Sequence, residues 1–382
     1  MSAATPAAPA TGARPGPLAG VRVLEFEGVG PGPFAAMQLA DLGAEILLVS
    51  PLSARASQMP LPPERDPLFR GRARLRLDLK NAADRERVLA LLPRVDLLIE
   101  GYRPGVMERL GLGPEVCLAR APRLVYGRIT GWGQEGPLAH TAGHDPNYIA
   151  LTGALHAIGH PDRPPLPPLN VVGDFCGGSM FLVMGLLAAY VHAQRTGQGQ
   201  VIDANIVDGT LSLLTMAYAM RGAGQWSDAR GANLLDGSCP FGTTYETADG
   251  HYMAVCALEP HFYAEFIRRL GIATAGLPGQ WERPRWTELH AKLAATFRQR
   301  SRAEWTAVFE GSDACVTPVL SVAEASAHPH NRARANLVGD PPLPAPAPRF
   351  SATPTAPPPP LNDAAEALER HWLGTQGTAP RR

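Results

Sequence analysis

Four short apolar runs, separated by helix-like stretches, constrain this chain more than any other feature. They are Val21–Phe26, Glu45–Val49, Val95–Glu100 and Leu124–Thr130, with Gly, Pro or charged residues within two positions of each end. Runs of this length, rich in Val, Leu and Ile, read as strands. Phe34–Leu42 and residues 81–93 lie between them and read as helices. Strands that return through a helix pair in parallel, with helices covering both faces of the sheet. The first 130 residues are therefore expected to be α/β.

The turns carry the next layer of information. Gly28-Val-Gly-Pro-Gly-Pro33 follows the first run. A dinucleotide site asks for GxGxxG and an acid at the end of the second strand. Here prolines interrupt the glycines and Ser50 stands at the acid's place. The loop reads as a tight turn that lets a helix pack on the sheet. Arg70–Lys80 alternates, with Leu75, Leu77 and Leu79 on one face and Arg74, Arg76 and Asp78 on the other. Those cations suit phosphates, or they guard an edge strand, and spacing alone leaves both readings open. Gly101-Tyr-Arg-Pro-Gly105 is a turn at the C-terminal end of a strand, where open α/β sheets bind ligands. Arg109 follows in a short helix.

The second half changes character. Residues 177–195 predict an apolar helix closed by Gly197, and Val201–Val207 a further strand. Asp208–Arg221 predicts one helix capped by Asp208. Thr243–Thr247 and Tyr252–Ala257 flank an Asp-Gly turn and read as a hairpin. Helices near 261–270, 286–298 and 302–310 and a strand at Cys315–Leu320 complete a smaller α+β region. Residues 341–360 are Pro-rich. Lys plus Arg and Asp plus Glu both number 35, so charge points to neither nucleic acid nor an anionic membrane. The apolar run Met180–Val191 is too short to span a bilayer, and Met1–Gly16 has no apolar core of a secretory signal. Five cysteines without a CxxC pair read as reduced thiols in a cytoplasm. The histidines show no metal-ligand spacing, so no metal is expected.

Two groups able to carry a proton stand out, His144 and Asp174. Each lies beside glycine and next to a helix-like run. A polar residue at a helix start meets unpaired N–H groups and the positive end of the dipole. Two such termini facing each other would hold an acid–base pair and offer donors to an oxyanion. Each residue also has a plainer reading. A single histidine is commonly structural, and Asp174 suits a helix N-cap. Glu259 reads equally as a solvated loop carboxylate and Asn170 as a turn amide. Ser179 lacks the GxSxG frame of a hydrolase nucleophile. Met184, Met216 and Met220 suit a tolerant apolar surface or core filling.

The segments GPGPFAAMQLADLGAE, LDLK, EGYRPGVMERLGLGP, RITGWGQEGP, AGHDPNYIALTG, PPLNVVGDFCGGS, GQGQVIDANIVDG, RGANLLDG and DACVTPV together resemble the family III CoA-transferase superfamily, and within it the alpha-methylacyl-CoA racemase branch. The resemblance spans roughly residues 17–350. It implies a Rossmann-like large domain with a parallel sheet plus a smaller α+β domain, in an interlocked homodimer whose active site lies at the subunit interface. Expected boundaries are a disordered leader (1–16), a large CoA-binding domain (17–224), a small domain (225–325), a return segment (326–361) and a C-terminal helix and tail (362–382). Position by position, His144 and Asp174 match the acid–base pair, Glu259 a carboxylate supporting the partner's histidine, and Asn170 a polar support. CoA contacts are expected at Leu77, Asp78, Leu79 and Lys80, at Gly101, Tyr102, Arg103 and Arg109, and at Gly143, Asp145, Pro146, Asn147 and Tyr148.

The implied reaction interconverts (2R)- and (2S)-2-methylacyl-CoA thioesters by 1,1-proton transfer through an enolate. It needs no cofactor, since CoA is part of the substrate. The alternative within the superfamily is CoA transfer between carboxylic acids through an aspartyl thioester at Asp174. A third reading is acyl-CoA binding without turnover. Two departures are visible. The basic residue usual after the second strand is absent from Leu48-Val-Ser-Pro51, leaving Arg55, Arg70 or Arg72 to replace it. Pro146 also stands in the GHDxNY motif where an apolar residue is usual.

Overall fold

The computed structural model describes residues 14–53 and 61–374. Most of the expected leader, Arg55 and the tail beyond Gly374 lie outside the described residues. Period-two alternation sends successive strand side chains to opposite faces. Leu24, Leu47, Leu98 and Tyr126 accordingly fill one core, while Val23, Ile46, Leu97 and Val125 fill the other. The strands are β1 (Arg22–Phe26), β2 (Glu45–Ser50), β3 (Arg72–Arg76), β4 (Leu97–Glu100), β5 (Val125–Thr130) and β6 (Gln200–Asn205). They form one six-stranded sheet in the order β3-β2-β1-β4-β5-β6. Every neighbouring pair is parallel. The α/β reading with a parallel sheet is thus borne out. Strand order reverses between β1 and β4, and a crevice opens there beyond their C-terminal ends.

β3 is the edge strand, and two of its three arginines, Arg72 and Arg74, are held by internal carboxylates, while Arg76 stays exposed. Arg72 is fully buried and pairs with buried Glu25 at 2.7 Å. Arg74 is 7% exposed and reaches Asp363 at 2.8 Å, with Glu64 on its other side. Arg70 donates from Nε to Asp41 at 2.7 Å. Arg70 and Arg72 are therefore excluded as replacements for the missing basic residue, because internal carboxylates already hold them. The open edge of β3 is covered by the returning chain: Gly71 N–H bonds Pro359 O, and Arg74 N–H bonds Asn362 O. Trp372, in the C-terminal helix Ala365–Gly374, is fully buried in the first core.

Two helix boundaries differ from expectation. The apolar helix begins at Val171, runs as a π-helix to Met180 and continues as an α-helix from Phe181 to Thr196. Asp174 lies in its first turn and is not its N-cap. The stretch spans 26 residues and is long and apolar enough to cross a membrane, which the shorter run Met180–Val191 did not reveal. Here it buries Leu182, Leu186 and Ala189 in the second core. Gly177 and Gly209 permit close contact with the next helix, since a Cβ on either would strike the other chain segment. That helix starts at Ile206, because the Asn205 side chain, not Asp208, caps it by accepting the Asp208 N–H at 2.8 Å. It ends at Leu213, and a second helix runs Thr215–Gly222. The Thr215 hydroxyl donates to Ser212 O at 2.6 Å, a local bond that competes with an unbroken helix.

The chain divides into two compact units. The first comprises residues up to Ala154, Pro168–Thr215 and everything from Ala345 onward; the second comprises Leu155–Pro167 and Met216–Pro344. In the second unit, β7 (Gly242–Glu246), β8 (Tyr252–Cys256) and β9 (Val316–Pro318) make an antiparallel sheet. Its core gathers Tyr245, Met253, Phe266, Leu293, Phe297 and Trp305. Arg230 braces the Leu155–Pro167 segment by donating to the carbonyls of His156, His160 and Arg163.

Candidate active site

His144 is the N-cap residue of the Asp145–Ala150 helix, with extended backbone at φ −135° and ψ 175°. Asn147 Oδ1 accepts the His144 N–H at 3.0 Å. The N–H groups of Asn147 and Tyr148 donate to His144 O at 2.8 and 3.3 Å. Pro146 has no N–H and fits the first turn. Asp145 N–H is therefore the donor of this turn without an acceptor inside the helix. The loop before it is pinned from the side. The Tyr148 hydroxyl donates to Gly143 O. The Tyr148 ring stands edge-on to Trp132, with centroids 4.7 Å apart. A Cβ on Gly143 would lie 2.7 Å from the Tyr148 ring and 2.9 Å from Trp132, so only glycine fits between them.

Asp174 approaches the same place from the other helix. Its N–H donates to Asp145 Oδ2 at 2.7 Å. Asn170 Nδ2 reaches its carboxyl at 3.5 Å. A Cβ on Gly30 would sit 3.2 Å from Asp174 Oδ2, so the glycine turn after β1 avoids crowding that oxygen from its side. Burial pushes the Asp174 carboxyl up to about 6, and the charge of Asp145 adds to the rise. Asn170 and His144 pull the other way. Burial also raises Asp145, against the two backbone N–H groups it accepts. Burial raises the Tyr148 hydroxyl, and the charge of Asp174 raises it further. The fold thus brings His144, Asp145, Tyr148, Asn170 and Asp174 into one cluster at the C-terminal edge of the sheet. A carboxyl that titrates near neutrality beside an imidazole can take a proton from a carbon acid or return one.

Three clefts open on this unit, two of them lined in part by the cluster. One of about 200 Å³ is lined by Gly101, Tyr102, Arg103, Trp132, Gly143, His144 and Tyr148, among others. A second, about 540 Å³, runs along Ser50–Ser53, Leu77–Lys80 and Val106. Tyr102 lines both, so they form one groove leading to His144. The third, about 440 Å³, lies on the Asp174 side and is lined by Gly28–Gly30, Leu61–Pro63, Phe69, Arg76 and Asn170. Most of the expected CoA contacts line the groove. Leu77 does so with its side chain in the core, 3% exposed, and its N–H on Ser50 O. Asp78 Oδ1 accepts the Lys80 N–H at 3.0 Å and shapes that turn. Arg109, at the end of the Val106–Arg109 helix, lines neither cleft of the groove, and nor do Asp145, Pro146 and Asn147. Glu259 belongs to the second unit, exposed at the N-cap of the Pro260–Leu270 helix. The packing of Trp132 on Tyr148, the approach of the Gly30 turn to Asp174 and the side-chain bond of Asp145 were not read from sequence. They join segments distant in the chain, and no spacing rule reports such contacts.

The family model described as CoA-transferase family III matches residues 18–364. Mouse alpha-methylacyl-CoA racemase is 44% identical over 343 residues, covering 89% of this chain and 88% of that protein. The human protein of the same name is 43% identical with the same coverage. The crystal structure of a CAIB/BAIF family protein from Brucella suis has a TM-score of 0.79 at 25% identity, covering 94% of this chain and 100% of that one. On a family match of that span and relatives of that identity, the chain belongs to CoA-transferase family III.

Proposed function

We propose that this chain is a racemase of 2-methylacyl-CoA thioesters, acting as a homodimer in the cytoplasm and without a cofactor. The observation that carries the reading is an Asp174 carboxyl held near neutrality in the first turn of one helix, within electrostatic reach of His144 at the N-cap of another. The names of the mouse and human relatives support it. CoA would lie along the groove from Leu77–Lys80 past Tyr102 and Arg103. The thioester carbonyl would then receive the Asp145 N–H. Neutral His144 takes the C2 proton, and the electron pair moves onto the thioester oxygen as an enolate. That N–H stabilises the charge as it develops. Protonated Asp174 gives its proton to the opposite face of C2. The product is the epimer, with the proton now on His144 and Asp174 ionised. In reverse the roles exchange. Glu259 of the partner subunit would orient and charge-balance His144.

The test is α-proton exchange. One enantiomer of a 2-methylacyl-CoA is incubated in D₂O with no second acid, and deuterium and chirality at C2 are followed by NMR. Deuterium uptake with loss of chirality is expected. No exchange, with CoA moving once a free acid is added, would instead make Asp174 a nucleophile and the reaction CoA transfer.

A further inference from the structure

Asp145 stands at the first position of the His144 helix and is 4% exposed. Its Oδ2 accepts the N–H groups of Asp174 and Gly173. These are first-turn donors of the Val171–Met180 helix, whose N-cap residue Asn170 makes no side-chain capping bond. A carboxylate on one helix thus caps another, 29 residues away in the chain. The approach is close: a Cβ on Gly173 would run into that carboxylate. The other oxygen, Oδ1, is buried with no hydrogen-bond partner among the described residues. Neutral Ser or Asn caps a helix as well as aspartate does, and a bare buried acceptor is rare in folded proteins. Capping alone does not account for a charge at this position.

We propose that the Asp145 side chain is a positioning residue for the proton transfer, clamping the turn that carries Asp174 to the turn that carries His144 and holding a negative charge beside Asp174. The proposal rests on the acid–base reading above. It adds a role for the side chain of a residue whose backbone alone that reading employs. After burial, the Asp145 charge is the strongest influence raising the Asp174 carboxyl. Other groups around the turn do not duplicate it. His144 and Asn170 act in the opposite direction. Tyr148 is itself raised by Asp174. Asp208, on the neighbouring Ile206–Leu213 helix, accepts from Asn205 Nδ2 at 2.7 Å. The turn after β1 presents glycine.

The test compares the full-length protein with Asp145→Asn and Asp145→Ala. The Asp174 carboxyl is titrated directly by ¹³C NMR of aspartate-labelled protein, and kcat and KM for C2 deuterium exchange are measured against pH. In Asp145→Asn the amide oxygen keeps the clamp but loses the charge. The Asp174 titration and the matching kcat limb should both move acidward by roughly one pH unit, with KM unchanged. Asp145→Ala should show the same movement with a further loss of kcat. Should the alanine variant not fold, the asparagine variant decides alone. An Asp174 titration unmoved in folded Asp145→Asn would overturn the proposal. A titration that moves while wild type exchanges no deuterium would support the electrostatic clamp and refute the racemase reading instead.

Discussion

Replacing Asp174 with asparagine should abolish the inversion of C2 and, at neutral pH, make the protein more stable. Folding raises this carboxyl from 3.8 to about 6. The folded state then holds the proton more tightly than the unfolded chain does. Below about pH 4 both states are protonated and the site costs nothing. Between about pH 4 and 6 the unfolded chain ionises this group while the folded state keeps its proton, so stability is lost across that window and levels off once the folded carboxyl also ionises. At 1.36 kcal/mol per pH unit the ceiling is about 3 kcal/mol. The carboxyl is partly open to water, which screens the effect, so about 1–2 kcal/mol is the expected cost at pH 7.5. Asparagine keeps the shape and the Asn170 contact but never ionises. Thermal unfolding at fixed protein concentration should show the variant a few degrees above wild type at pH 7.5 and level with it at pH 4. Equal melting temperatures at pH 7.5, or a gain as large at pH 4, would refute the claim that an ionised carboxyl is stored here against the fold.

Four further outcomes are expected. His144→Ala should lower C2 deuterium exchange by about 10²–10⁴-fold while leaving the melting temperature near wild type; exchange close to wild type would remove His144 from the mechanism. Tyr148→Phe leaves the Gly143 carbonyl without its donor and should cost about 1 kcal/mol of stability, read by urea unfolding, with a fall in kcat as the His144 loop loosens. Arg72→Met strands the buried Glu25 carboxylate and should cost about 3–5 kcal/mol; adding Glu25→Gln should recover much of that loss, and an equal cost for both variants would show that charge is not the cause. Trp372→Ala should cost about 3–5 kcal/mol from the first core, measured by the same unfolding.

The sheet was legible because its strands announce themselves locally. Val21–Phe26 and Val95–Glu100 need only their own apolar alternation to be read, and the parallel arrangement follows from the helices between them. The arginines of β3 were harder, because Glu25 and Asp363, their partners, lie far off in the chain. A cation on a strand looks the same whether it meets water, phosphate or a buried carboxylate. Helix ends failed for a related reason. Asp174 and Asp208 have the chemistry of caps, but Asn170 and Asn205 lie just upstream and take the cap positions. The candidate acid–base pair was visible as two residues beside glycine. What joins them was not visible, since the Asp145 bond to the Asp174 backbone depends on how two helices meet.

The covering of β3 has a consequence for synthesis. Arg74 and the carboxylate that holds it, Asp363, are 289 residues apart. At about 5–20 residues per second, the ribosome needs roughly 15–60 s to travel between them. During that interval the nascent sheet has an edge with unpaired N–H and C=O groups, and a buried arginine still lacks one of its anions. The second unit, by contrast, emerges whole before the first can close. Chains that stop short of Pro359 would carry a completed second unit and an open β3 edge, and such an edge pairs readily with its like in other chains. Expression of the fragment ending at residue 344 should therefore yield self-associated material, whose protection by the separate 345–382 peptide would report the closure of the sheet.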